Sequence, residues 1–170
     1  MSWNTCKRCS NPCSCSFSGD PVHPCTCTPM MIQRYRSRLS GPLLDWIDLQ
    51  IEVPRITYQE LSCTSEPESS ATIKARVEAA RSIQLKRLEP FGLHSNSAMA
   101  ARHIRKFCPV DEQGHKLLEM VTDRLGLSAR SHSRILKVAR TIADLAGEEK
   151  IRQEHLAEAI QYRGLDRKAV

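Results

Sequence analysis

Apolar positions recur at helical spacing through most of this 170-residue chain. In the first third, Thr28 offers a cap, Pro29 suits the first turn, and Met31, Ile32, Tyr35 and Leu39 follow on one face before Gly41-Pro42. The period then changes to two. Leu49, Ile51 and Val53 alternate with Asp48, Gln50 and Glu52, which predicts a short half-buried strand closed by Pro54. Residues 62–69, small, acidic and broken by Pro67, read as a linker. Beyond it the pattern is helical throughout. Ser70 is placed to cap a helix to about Glu89, with Ile73, Val77 and Ala80 on one face. Asn96 opens a second to about Phe107, Asp111 a third ending at Gly126, Ser128 a fourth ending near Gly147, and a fifth runs from Arg152 to Tyr162.

These signals predict a mainly α protein in two parts, 1–61 and 70–170, the second a five-helix bundle. Caps, glycine stops and apolar faces agree within 70–165, so that part is expected to fold alone. A lone strand leaves its backbone groups unpaired, so the first part is expected to be loosely ordered except where a metal ties it.

Apolar residues make up 41% and charged residues 26%, ordinary for a soluble globular protein. No apolar run is long enough to span a bilayer and MSWNTCKRCS has no apolar core of a secretory signal, so the expected compartment is the cytoplasm, with no membrane partner. The net charge of +6 is uneven, with eight Lys/Arg against two acids over 70–110. Such a segment suits a polyanion such as DNA or simply faces solvent. In the fourth helix, Ile135, Val138, Ile142 and Leu145 form the face expected to pack inward, and Arg130, Arg134, Lys137 and Arg140 form a basic stripe. Arg130 stands in the first turn, where a cation opposes the helix dipole by roughly 0.3–1 kcal/mol and an anion would satisfy both the cation and the free N–H groups.

Residues 11–27 read NPCSCSFSGDPVHPCTC. Cys13, Cys15, Cys25 and Cys27 form two Cys-x-Cys pairs across a turn rich in Gly and Pro, a set able to surround one tetrahedral zinc ion. Reduced unliganded thiols and disulfides are the other readings, the last disfavoured in the cytoplasm. Cys6, Cys9 and His23 are spare ligands, Cys63 and Cys108 stand alone, and His132 has no nucleophile or carboxylate beside it.

Several of these blocks (SNPCSCSFSGDP, CTCTP, QRYRSRLSGPLLD, IDLQIEVPR, LSARSHSRILKVARTIADL and EAIQYRGLDR) resemble the C-terminal third of Mg-chelatase-like AAA+ ATPases of the ComM (YifB) competence type, over about Asn11 to Arg167. The resemblance implies the end of an AAA+ core over 1–61 (Cys-rich loop, helix and one strand) followed over 70–170 by a helical-bundle lid. It implies a homo-hexameric ring that uses ATP and magnesium for DNA branch migration. Asn11 resembles the sensor-1 residue and Arg130 the sensor-2 residue that contacts nucleotide from the lid. Two departures accompany it. No Gly-x-x-x-x-Gly-Lys-Ser/Thr phosphate loop is present, and the position resembling the arginine finger holds Trp46. A finger is worth ~10³–10⁵ in rate, and Trp carries no charge to supply it. The expectation is therefore a portion of such a motor, without ATPase activity by itself. The alternative is a stand-alone zinc-containing module that binds nucleic acid without chemistry.

Overall fold

The computed structural model describes residues 11, 13–38, 46–51, 53, 56, 58, 62 and 67–163. Among them are six α-helices: α1 Pro29–Arg36, α2 Ser70–Leu88, α3 Ala101–Phe107, α4 Glu112–Leu125, α5 Ala129–Leu145 and α6 Gln153–Gln161. Short 3₁₀ turns at Glu89–Phe91 and Asn96–Ala98 separate α2 from α3.

Local chemistry accounts for most helix ends. The Thr28, Asp111 and Ser128 side chains accept the N–H of Met31, Gly114 and Ser131, as the sequence indicates. The cap of α2 is Ser69, which accepts from Thr72 N–H at 3.1 Å, one residue before the expected Ser70. His103 and His155 each turn back to their own N-cap, Nδ1 accepting the N–H of Ala100 and Arg152 at 3.1 Å. Gly126 ends α4 in the left-handed region at φ 60°.

Asn96 does not cap a helix. It is buried, donates to Thr141 Oγ1 and Asp144 Oδ2, and accepts from Arg87. This belongs to a polar latch around Asp144. Arg87 meets the Asp144 carboxylate with both terminal nitrogens at 2.8 and 2.6 Å, and Arg140 Nε donates to it at 3.0 Å. Arg140 also donates to the carbonyls of Glu148 and Glu149. Two guanidiniums around one carboxylate satisfy a charge that could not otherwise be buried.

Around this latch lies the apolar core: Leu88, Met99, Ile104, Leu118, Ile135, Leu136, Ala139, Ala143, Ile151, Leu156 and Ile160. The buried face of α5 is shifted from the expected one, keeping Ile135 in the core and Val138 and Ile142 packed against it. It runs through Ser131, Ile135, Ala139 and Ala143, where small side chains admit close neighbours, while Leu145 is exposed and Val138 and Ile142 are half-buried. Arg140 leaves the expected basic stripe for the interior.

The expected strand is corrected as well. Among the described residues of that stretch none is in a strand; Leu49, Ile51 and Val53 are exposed, and Gln50 is the buried residue. The physical reason is what the segment meets, which is the helical part and not a sheet. Gln50 N–H donates to the Tyr162 carbonyl at 2.8 Å, and Arg163, itself 1% exposed, donates to the Ile47 carbonyl at 2.6 Å and to Ser131 Oγ at 3.0 Å. Arg134 donates to the Trp46 carbonyl at 2.8 Å and pairs with Asp48. Residues 46–50 are thus docked on α5 and the end of α6. Leu39 and Pro54 lie outside the described residues.

Candidate functional site

The two Cys-x-Cys pairs meet. Ser16, at φ 71°, and Gly19, at φ 88°, reverse the chain, and the Asp20 carboxylate accepts the N–H groups of Val22 and His23 at 2.8 and 2.9 Å. Phe17 stacks on the His23 ring at 5.1 Å. Folded this way, Cys13 Sγ lies 3.3 Å from Cys15 Sγ and 3.8 Å from Cys25 Sγ, with Cys15 and Cys25 3.5 Å apart. All four sulfurs, Cys27 included, fall within 4.8 Å of one another. Four thiolates about 2.3 Å from a zinc ion stand ~3.8 Å from each other, so the donor set and its spacing fit that ion. The described thiols are free, and Sγ pairs beyond 3 Å are far from the ~2.05 Å of a disulfide.

The thiols are not equivalent. The Phe17 backbone N–H, more than any other group, holds Cys15 down to about 5, helped by the Cys13 thiol. Cys25 is pushed up to about 12. The backbone contact with Cys27 favours its thiolate, but burial and the neighbouring Cys15 and Cys13 outweigh it. One thiolate among sharing thiols is a ready starting point for a cation. His23 is turned to Phe17 and Asp20 and stands apart from the four sulfurs. Cys108 is buried, where desolvation pushes its thiol up to about 11. Cys6, Cys9 and Cys63 lie outside the described residues.

The other expected site residues are dispersed. Asn11 is exposed beside the thiol loop. Arg130 is exposed in the first turn of α5, its guanidinium carbon 5.4 Å from the centre of the Trp46 ring. The structure therefore brings together Arg130 and Trp46, two positions 84 residues apart whose likeness to different family roles gave no hint of contact. Arg134 belongs to the expected basic stripe, whereas Arg163 and Asp144 carry no expected role in the sequence. One signal was available for the last: Asp144 follows Arg140 by four residues on a turn containing Ala139 and Ala143, the mark of a charge pair facing inward.

Residues 67–163 match the family described as magnesium chelatase, subunit ChlI C-terminal, and residues 6–61 match magnesium chelatase, subunit ChlI. The chain is 46% identical over 142 residues to the uncharacterized protein YifB of Escherichia coli (strain K12). It is 43% identical over 141 residues to the competence protein ComM of Haemophilus influenzae. These alignments cover 83% and 82% of the chain and 27% of either relative. An uncharacterized protein of Mycobacterium tuberculosis is 32% identical over 154 residues, covering 91% of the chain and 30% of that relative. The chain thus spans less than a third of the length of the curated relatives it matches.

Proposed function

This chain belongs to the magnesium chelatase subunit ChlI family, and we propose that it supplies the nucleotide-responsive lid and a zinc-stapled loop of a ComM-type AAA+ motor, an ATP-driven DNA helicase working as a cytoplasmic homo-hexameric ring. The observation that carries this reading is the setting of Arg130. It is an exposed cation on the first turn of a Ser128-capped helix, with no carboxylate partner among the described residues and an aromatic face beneath it. Such a guanidinium is free to meet a phosphate oxygen, with the first-turn N–H groups beside it. ATP with magnesium supplies the hydrolytic chemistry in the complete motor. Arg130 senses the phosphates from the lid, and Asn11 faces the same nucleotide from the core.

Trp46, at the position resembling the finger, holds the Arg130 side chain by stacking, and Arg134 holds Trp46 by its carbonyl. A ring can orient a guanidinium but cannot stabilise developing phosphate charge, so Trp46 is a positioning residue. The thiol loop contributes no chemistry. A closed Cys₄ site would fix the backbone that follows Asn11.

By themselves these residues turn over no ATP, because the phosphate-cradling loop is not among them. Steady-state phosphate release from the purified chain tests this: background rates are expected, and turnover that Arg130→Ala abolishes would overturn the reading.

A further inference from the structure

Among the described residues, seven cations of the helical part are paired with carboxylates. Lys74 pairs with Glu78, Arg76 with Glu68, Arg87 and Arg140 with Asp144, Lys116 with Glu112, Arg134 with Asp48 and Arg152 with Glu148. Helix α3, ARHIRKF, is different. It carries no acid, and Arg102, Arg105 and Lys106 are exposed with no carboxylate partner among the described residues.

An aromatic cluster lies beside these three cations. Phe91 is 42% exposed at the end of a 3₁₀ turn and meets Phe107 edge-on at 5.4 Å and the His103 ring at 5.8 Å. Lys106 Nζ sits 4.6 Å from the Phe91 ring centre and 5.4 Å from that of Phe107, and Arg102 Nε lies 3.2 Å from a His103 ring nitrogen. The nearest acid in sequence is Glu89, two residues before Phe91.

We propose that this patch, Phe91 flanked by Arg102, Arg105 and Lys106, binds single-stranded nucleic acid without sequence preference. Every base offers a face to stack on an exposed ring, and unpaired cations on either side meet the phosphates that flank it. Lys106 covers Phe91 only through a cation–π contact, an exchange partner that an incoming base displaces while the ammonium moves to a phosphate. An acidic protein would use the cations and have no use for the ring face. The choice of polyanion rests on the reading of the chain as part of a DNA motor; the location of the patch does not.

Fluorescence anisotropy of a labelled dT20 oligonucleotide with the full chain tests the proposal. Phe91→Leu keeps an apolar side chain against Phe107 and removes the stacking face; it is expected to weaken binding roughly tenfold, while Phe91→Trp retains it. Arg102→Glu and Lys106→Glu change exposed side chains, and each should weaken binding and make the log–log salt dependence shallower by ~0.7. Thermal melting of each variant separates lost binding from lost fold. Binding of dT20 unmoved by all of these variants would overturn the patch while leaving the motor reading intact. Equal competition by polyglutamate, with Phe91→Leu silent, would overturn it in favour of an acidic protein partner. Absence of any binding at low salt would overturn the patch, while the motor reading stands or falls on the phosphate-release test.

Discussion

At the scale of single residues, the four-thiol cluster and one glycine carry the sharpest expectations. Metal-replete protein should hold one zinc per chain, and Cys25→Ser should lose most of it, measured by elemental analysis. Unchanged zinc in that variant would rule out the Cys13/Cys15/Cys25/Cys27 set. Gly114 poses a different test. In a helix, Ala is normally favoured over Gly by up to about 1 kcal/mol. Here an added Cβ would stand 2.4 Å from Val110 Cγ1 and 2.7 Å from Leu156 Cδ1, so overpacking should win and Gly114→Ala should destabilise the fold by ~1–3 kcal/mol in urea unfolding. A more stable variant would mean that α4 and α6 have room between them. Cys spacing made the thiol set legible in advance. The Gly114 contact was not, because it depends on where α6 lies.

At the scale of elements, α5 organises the helical part. Its cap follows local rules, so Ser128→Ala should cost about 1 kcal/mol, read from the same denaturation curves. Its interior is governed by the Asp144 latch. Asp144→Asn leaves Arg87 and Arg140 with no buried counter-charge and should cost ~3–5 kcal/mol, several times the cap. An Asn variant as stable as the parent would show that water already reaches these guanidiniums. The inward face of α5 could not be read from apolar spacing alone. Of the stripe Ile135, Val138, Ile142 and Leu145, Ile135 is buried, Val138 and Ile142 pack half-buried against the core and Leu145 is exposed, while the most buried line runs through Ser131, Ile135, Ala139 and Ala143. Small residues win that position because they let a neighbouring backbone approach, an advantage that exists only once the neighbour is there.

At the scale of the whole molecule, the docking of residues 46–50 joins the first part of the chain to the second. Hydrogen exchange on the intact chain should show the Gln50 amide, bonded to the Tyr162 carbonyl, protected above that of exposed Ile51, and Arg163→Met should remove the difference. Equal exchange in the parent would mean the contact is too short-lived to matter. A chelator should loosen residues 13–27 and leave the circular dichroism of α2 to α6 intact, since the core there contains none of the four thiols. By itself the sequence determined the helical class, most helix starts, the thiol set and the family, because caps, periodicity and ligand spacing are local properties written in adjacent residues. Tertiary structure alone decided that the buried face of α5 shifts to include Ala139, Arg140 and Ala143 and leave out Leu145, and that Asn96 belongs to a charge latch. It also decided that the alternating stretch at 49–53 meets Arg163 and Tyr162 instead of another strand. In each case the energy comes from a partner distant in the chain. A buried carboxylate selects its guanidiniums, and an unpaired backbone group selects its acceptor, only after the helices have set the distances between them.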